Sequence, residues 1–236
     1  KPKLILFISI VVLFGILIEV KAYAGILALG ALFLSGLYTL FVNRKGGRGI
    51  LILVMLFFAS IISVAVFLPL NGSASSLLLL QPFWFLETLL ALSDRFGWPK
   101  LYEAMINWRS GHVYLKTIAG YGVALALFTF GNFGTRMLGV LNTGNIRKKR
   151  LSVFDVFMLS VIAGGFFAPL LFIQQGTAWN IIQFFYYSLF FLAIYAGFFM
   201  EKLLKGKTRR VQLILGALVV LLTVPTSIST LLTVYI

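Results

Sequence analysis

The chain of 236 residues is 61% hydrophobic and only 11% charged, and its mean hydropathy is +1.03. Soluble domains carry about 25% charged residues, so this composition excludes a soluble globule. Lysine and arginine number 20 against 6 acidic residues, which gives a formal net charge of +14. The cations fall in short runs between long apolar blocks, where juxtamembrane residues meet anionic headgroups, and this position argues against nucleic acid as a partner. We therefore predict an integral, multi-pass membrane protein whose partners include membrane lipids.

Seven apolar blocks are long enough to cross a bilayer as helices, which takes roughly 17–25 residues each. Helices are expected because they satisfy their own backbone groups in hydrocarbon. The predicted spans are Leu4–Val20, Ala22–Val42, Ile50–Leu68, Leu115–Phe133, Val153–Ile173, Trp179–Met200 and Val211–Ile236. The predicted fold is all-α, a polytopic transmembrane helix bundle of about seven spans. Residues 1–70 hold the first three spans, residues 71–114 form a long loop with interfacial helices, and residues 115–236 hold the last four spans.

The distribution of lysine and arginine predicts which loops are cytoplasmic. If the spans alternate from a cytoplasmic N-terminus, 15 of the 20 basic residues lie on the inner side and 5 on the outer side. The outer five are Lys21, Arg95, Lys100, Arg109 and Lys116. This asymmetry follows the positive-inside rule and places residues 71–114 on the exoplasmic face.

The long outer loop is predicted to contain a helical hairpin that lies in the membrane plane. Small polar residues at 71–76 favour a linker, and Pro82 suits the first turn of a following helix. Gly97 with Pro99 beyond it indicates a helix stop, and a second helix is expected from Pro99 to about Trp108. Aromatic residues of this kind anchor helices at headgroup level. The expected anchors are Trp84, Trp98, Tyr102 and Trp108.

Two acidic residues of the hairpin, Glu87 and Asp94, are the candidate catalytic groups. They are seven residues apart, which places them on one face of a continuous helix. A carboxylate there can act as a general base or hold a divalent cation, and the alternative is the solvated polar face of an amphipathic helix. The sequence contains no cysteine and one histidine, so no thiolate or histidine metal cluster is expected.

Basic residues near these carboxylates are candidate ligands for an anionic substrate. Arg95, Arg109 and Lys116 can bracket a phosphate, or they can extend to lipid headgroups. His112 lies near the start of the fourth span, where a histidine serves either as an interfacial hydrogen-bonding group or as a proton carrier.

The turn between the fifth and sixth spans supplies a second polar group. It contains Gln174, Gln175, Thr177 and Trp179, and it leads into Asn180, Gln183 and Tyr187. The last three residues follow an i, i+3, i+7 spacing, which predicts one helical stripe directed into the outer leaflet. Amide side chains can bind sugar hydroxyls or phosphate oxygens, and the alternative is hydrogen bonding between membrane helices.

Two strings of the sequence carry a family resemblance: QPFWFLETLLALSDRFGWP at 81–99 and QQGTAWNIIQFFYY at 174–187. Both resemble stretches of bacterial multi-span proteins related to the GT-C superfamily of polytopic glycosyltransferases. That superfamily is similar to this chain in its many spans, its outer loops with membrane-plane helices and its polar cluster at the outer leaflet. The resemblance implies a transferase in a bacterial or archaeal plasma membrane that takes its sugar from a polyprenyl-phosphate carrier on the exoplasmic side.

The catalytic carboxylate of that superfamily lies in the first outer loop, near the N-terminus. Here the only acidic residue of the first outer turn is Glu19, and the turn is too short to match the catalytic loop of the superfamily. We therefore assign no catalytic residue from the resemblance. The resemblance implies that earlier spans and the catalytic loop precede Lys1, in agreement with the missing initiator methionine.

Two functions fit these observations. One is a membrane glycosyltransferase, or its lipid-linked-sugar and acceptor-binding portion, in which basic residues stabilise the departing phosphate and amides orient the sugar. The other is a transporter or lipid flippase, which is favoured by Gly164, Gly165 and Pro169 because such residues can break a membrane helix. The lack of a clear ionisable residue at mid-membrane depth disfavours the transporter.

Overall fold

The computed structural model describes residues 2–42, 46–71, 78–141 and 151–235, and within them the fold is all-α apart from one pair of short strands. The strands are β1 (Leu78–Leu80) and β2 (Phe172–Gln174), and short 3-10 turns span Gly134–Met137 and Ala178–Ile181. The α-helices of the described residues are α1 (Pro2–Val20), α2 (Ala22–Phe41), α3 (Gly46–Asn71), α4 (Trp84–Ala91), α5 (Pro99–Ser110), α6 (Tyr114–Phe133), α7 (Val153–Leu171), α8 (Ile182–Leu204) and α9 (Arg209–Tyr235).

Six helical segments in the described part of the chain are long and apolar enough to cross a membrane. They are Lys3–Val20, Ala22–Phe41, Gly47–Pro69, Tyr114–Leu141, Val153–Leu171 and Ala178–Leu204. Large apolar side chains face outward along them: Leu115 is 81% exposed and Phe190 is 63% exposed. Lipid explains this exposure, and the prediction of an integral multi-pass membrane protein is confirmed. The seventh predicted segment also forms a helix, α9, and its assignment as a span stays a prediction.

The chain divides into two compact units. The first comprises Lys1–Tyr121 and Leu151–Phe191, and the second comprises Gly122–Arg150 and Leu192–Ile236. The segment boundaries predicted at residues 70 and 114 both fall inside the first unit. The predicted linker at 71–76 lies outside the described residues from residue 72 onward, because Asn71 is the last residue of α3. The basic run at 147–150 also lies outside the described residues.

Small residues let the helices of the first unit approach one another closely, as is usual in membranes. Gly15 on α1 faces Ile62 on α3, and Ser63 Oγ donates a 2.9 Å hydrogen bond to the carbonyl of Gly15. On α7, Gly165 lies against the backbone of Phe184 on α8, and Ser188 Oγ donates a 2.5 Å hydrogen bond to the carbonyl of Ile162. These contacts fix α1 against α3 and α7 against α8.

In the second unit, Gly139 lies against the carbonyl of Leu192 on α8. Thr135 and Thr223 share a hydrogen bond of 3.1 Å between their hydroxyls, which joins the 3-10 turn to α9. Hydroxyl pairs of this kind satisfy polar groups where water is scarce.

The helix α7 runs unbroken from Val153 to Leu171, through Gly164, Gly165 and Pro169. The helix break that these residues would permit in a transporter is therefore not present. Gly165 is explained instead by its close contact with the backbone of Phe184, which leaves no room for a side chain.

The hairpin forms, but its first helix is shorter than predicted. The helix α4 begins at Trp84, after a left-handed residue at Phe83 (φ 66°), so Pro82 precedes the helix instead of lying in its first turn. It ends at Ala91 because the chain turns back over it: the amides of Phe96 and Trp98 donate to the carbonyls of Leu89 and Leu90. These bonds satisfy carbonyls that a helix end otherwise leaves free.

Two consequences for the predicted hairpin follow. Asp94 lies in the turn after α4, so the prediction that it shares a helix face with Glu87 is wrong. Gly97 has φ +58° in the predicted reversal, and Pro99 is the first residue of α5, as expected from a proline at a helix start.

The strand pair was not predicted. The strands β1 and β2 are antiparallel, with Leu78 opposite Gln174 and Leu80 opposite Phe172. The amides of Gln81 and Phe83 continue this contact by donating to the carbonyls of Leu171 and Leu170, at 2.8 and 2.7 Å. The fifth predicted span ends at Leu171 instead of Ile173 because the backbone beyond it pairs with β1.

Replacing Gly165 by alanine tests the contact between α7 and α8. A Cβ at residue 165 would lie 2.6 Å from Ser188 Oγ and closer still to the carbonyl of Phe184. We expect Gly165→Ala to lower the free energy of unfolding by about 1–3 kcal/mol, as overpacking does. The matched control is Gly197→Ala in α8, where nothing lies within 4 Å of the new Cβ. Thermal unfolding in one detergent measures both, and equal shifts in Tm would contradict the packing.

Candidate functional site

The hairpin and the 172–181 segment lie together in the first unit. Besides the strand pair, the ring of Trp179 is 5.7 Å from that of Trp84 and 5.2 Å from that of Phe85. The guanidinium of Arg95 lies 5.0 Å from the Trp179 ring centroid, within the range of a cation–π contact. The assignment of this region to the exoplasmic face stays a prediction.

A charged cluster ties the hairpin to α6. Arg109 on α5 donates from Nη1 to Glu87 Oε1 at 2.6 Å and to the hydroxyl of Tyr121 at 2.9 Å. The hydroxyl of Tyr121 also donates to Glu87 Oε1. The Glu87 side chain is 15% exposed and that of Arg109 is 52% exposed. The candidate base Glu87 therefore has one oxygen fully engaged by two donors, an arrangement that suits holding the hairpin in place.

The electrostatics of this cluster keep the Arg109 guanidinium positively charged. Burial lowers the pKa of the Arg109 guanidinium, but the charge of Glu87 and the hydrogen bonds to Glu87 and Tyr121 outweigh it and raise this pKa above its ordinary value. Arg109 is thus a cation whose charge is already matched by a neighbouring carboxylate. It is less suited than an unpaired cation to bind a substrate phosphate.

Close packing of α5 on α6 positions Arg109. Met105 is completely buried against Gly120, where a Cβ would lie 2.6 Å from Met105 Cγ. The missing side chain at 120 lets α5 cross α6 closely enough for Arg109 to reach Tyr121. Met105 and Gly120 were not singled out in the sequence because their importance depends on this crossing.

The second candidate carboxylate, Asp94, lies at the surface. Its side chain is 66% exposed, and its Oδ2 is 3.6 Å from Nε of Arg95. Among the described residues, no group of three or more histidine, cysteine, aspartate or glutamate residues could hold a metal ion. The divalent cation expected at one of these carboxylates stays a prediction.

The predicted polar residues of the turn do not form one cluster. Gln174 on β2 accepts a 2.7 Å hydrogen bond from the hydroxyl of Tyr23, which joins this strand to α2. Gln175 and Thr177 are exposed at the tip of the turn.

The predicted stripe of Asn180, Gln183 and Tyr187 crosses a change in backbone geometry. Asn180 lies in the 3-10 turn, whereas Gln183 and Tyr187 lie on α8. Gln183 Nε2 donates to Asn180 Oδ1 at 3.3 Å.

His112 and Lys116 lie at the corner between α5 and α6. His112 is exposed and left-handed (φ 56°), and its ring is 6.1 Å from that of Tyr114. Lys116 is exposed on the first turn of α6. The backbone amide of His112 donates a 3.2 Å hydrogen bond to the carbonyl of Arg109. Within the described ranges, no side-chain hydrogen bond or ion pair joins His112 or Lys116 to the other predicted site residues.

A cleft of about 680 Å³ opens between the helix pair α1–α2 and the helix pair α7–α8 of the first unit. Most of its lining is leucine, alanine, valine and phenylalanine. The polar exceptions are Lys21, Gln183, Tyr186 and Tyr187. Ligand sites in proteins commonly have volumes of about 300–1,000 Å³, mostly apolar walls and a few polar groups. The cleft is therefore suited to an amphiphile.

The cation of the cleft is Lys21, which the sequence analysis did not select. Lys21 is the N-cap residue of α2, at the corner after α1, and its Nζ lies 5.6 Å from the ring centroid of Tyr23. In the part of the chain that the structure describes, no carboxylate lies within ion-pair distance of Lys21. The nearby Glu19 instead accepts a 3.2 Å hydrogen bond from Asn71. One signal was available: Lys21 is the only basic residue of the first predicted outer turn.

Comparison with protein-family models, with curated proteins and with solved structures returns no match for this chain. The geometry of the site must therefore support any functional assignment.

Replacing Arg109 tests the cluster that holds the hairpin. We expect Arg109→Ala to lower the free energy of unfolding by about 1–3 kcal/mol, because it leaves the mostly buried Glu87 carboxylate with one donor fewer. Lys100→Ala is the matched control, since Lys100 lies exposed on the same helix. Thermal unfolding of the two variants in one detergent provides the measurement. If Arg109→Ala unfolds at the same temperature as Lys100→Ala, the cluster does not stabilise the hairpin.

Proposed function

We propose that this chain is a membrane glycosyltransferase, or the lipid-linked-sugar and acceptor-binding portion of one, that uses a polyprenyl-phosphate sugar donor on the exoplasmic face of a plasma membrane. The observation that carries the proposal is the apolar cleft with the cation Lys21 at its polar end. Such a donor has a long apolar chain attached to an anionic phosphate. The cleft likewise has a long apolar part and a cation, Lys21, at one end.

The polar end of the cleft has the groups that a phosphate ester requires. Lys21 supplies a positive charge, the amide of Gln183 supplies donors, and the hydroxyls of Tyr186 and Tyr187 supply more. A charged donor to a phosphate oxygen forms a stronger hydrogen bond than a neutral pair. Lys21 therefore replaces Arg109 as the proposed phosphate ligand, because Arg109 is paired with Glu87.

In the proposed reaction, an acceptor hydroxyl attacks the anomeric carbon of the sugar. The bond from that carbon to the phosphate oxygen breaks, and its electron pair leaves with the polyprenyl phosphate. Lys21 would stabilise the negative charge that develops on this phosphate, which is the usual way that charged donors lower such a barrier. The sugar would face the hairpin and the 172–181 segment, where Trp179 and Arg95 are in contact.

The acceptor proton requires a base. Asp94 is the candidate base in this chain because it is the exposed carboxylate next to Arg95. Glu87 is the weaker candidate of the two, since Arg109 and Tyr121 engage its Oε1.

Replacing Lys21 tests the proposed function. The purified protein in liposomes is supplied with radiolabelled polyprenyl-phosphate hexoses, and sugar transfer is measured. We expect Lys21→Ala to lower kcat/KM by about tenfold or more, because about 1.4 kcal/mol of stabilisation corresponds to tenfold. Lys21→Arg should retain most of the activity.

Lys100→Ala is the control for a general loss of surface charge, and it should have no effect. Transfer that is insensitive to Lys21→Ala would remove Lys21 from the site. If the labelled lipid crosses the bilayer and its sugar stays attached, the protein is a flippase.

A further inference from the structure

Three phenylalanines line the end of the cleft opposite Lys21 and Gln183. Phe14 on α1 and Phe157 on α7 have ring centroids 5.9 Å apart, and Phe157 and Phe191 on α8 have centroids 6.4 Å apart. Both pairs are edge-to-face, with interplanar angles of 81° and 74°. On each of these helices, the phenylalanine is the lining residue farthest from Lys21 and Gln183. We call Phe14, Phe157 and Phe191 the aromatic floor.

The depth of the cleft follows from helix geometry. Lys21 lies seven residues after Phe14, and Phe191 lies eight residues after Gln183. At 1.5 Å per residue, these separations correspond to about 10 and 12 Å. The hydrocarbon core of a bilayer is about 30 Å thick, so one leaflet is about 15 Å deep. The aromatic floor thus lies short of the bilayer centre, and the cleft is much shorter than a polyprenyl chain.

We propose that the aromatic floor sets how much of the lipid chain the protein recognises: only the isoprene units next to the phosphate are enclosed, and the rest of the chain leaves the protein at the floor. This inference rests on the proposed function, because it places the phosphate at Lys21. Close contact between the enclosed units and the walls of the cleft contributes dispersion energy to binding. Units beyond the floor remain in lipid, and they add nothing to affinity.

The geometry favours one prenyl chain over a two-chain phospholipid. The cleft has a single floor, a single lysine and a volume of about 680 Å³ between two helix pairs. The floor joins three helices by edge-to-face ring contacts, which stabilise this arrangement of α1, α7 and α8. The floor is therefore expected to act as a fixed stop.

The test measures affinity as a function of chain length. The probes are geranyl, farnesyl, geranylgeranyl and undecaprenyl phosphate, each competing with a fluorescent farnesyl phosphate analogue for the protein in detergent. For the unaltered protein, the Kd is expected to fall with each added isoprene unit that contacts the walls of the cleft, and then to stay constant. In Phe14→Ala and Phe191→Ala, the length at which the Kd becomes constant should move to a longer phosphate.

Two further variants make the result interpretable. Phe154→Ala is the matched control, because Phe154 lies one turn from Phe157 on α7 but is 61% exposed and does not line the cleft. It should leave the limiting length unchanged. Phe14→Leu keeps an apolar side chain while it removes the ring, and it replaces Phe14→Ala if that variant does not fold.

The outcomes separate this inference from the proposed function. A Kd that falls continuously to undecaprenyl phosphate, or a limiting length that no floor variant moves, overturns the aromatic floor while Lys21-dependent transfer can still stand. Displacement by dioleoyl phosphatidic acid as strong as that by the prenyl phosphates also overturns it. If no prenyl phosphate binds at all, both the floor and the proposed function are wrong.

Discussion

Hydrocarbon around the chain requires that every backbone amide and carbonyl finds a partner within the protein, and this constraint shapes the whole structure. It makes the apolar blocks helical. It also governs the end of α7, where the backbone beyond Leu171 pairs with β1 and the amides of Gln81 and Phe83 bind the carbonyls of the last helical turn. The hairpin is thereby attached to α7, and it is attached to α6 through Arg109 and Tyr121.

The same constraint determines where charge can be useful. Most charges that a protein buries must be paired, and Glu87 with Arg109 follows that rule. Lys21 is exposed instead of buried, the described residues place no carboxylate within ion-pair distance of it, and an apolar cleft extends from it. An anionic amphiphile would supply both the counter-charge and the apolar surface. This is why the proposed function depends on Lys21 rather than on the more numerous basic residues of the hairpin.

Much of the fold could be predicted from the sequence because lipid leaves a strong local signal. Spans appear as uninterrupted apolar blocks, and Gly97 with Pro99 marks the reversal before α5. The strand pair could not be predicted, since Leu78 and Gln174 are far apart in the chain and three residues carry no periodicity. The cleft could not be predicted for the same reason. Gln183 and Tyr187 were selected for their polarity, but Lys21 and the aromatic floor line a cleft only because α1, α2, α7 and α8 pack together.

The central claim is that the Lys21 end of the cleft, the hairpin and the 172–181 segment all lie on the exoplasmic side. The chain has no cysteine, so single cysteines can be introduced and labelled without interference. We expect Lys21→Cys, Glu103→Cys and Thr177→Cys to react with a membrane-impermeant maleimide in intact cells, and Lys207→Cys to react only after the cells are permeabilised. Labelling of Lys21→Cys on the opposite side from Glu103→Cys and Thr177→Cys, or of all three from the cytoplasm, would contradict the account.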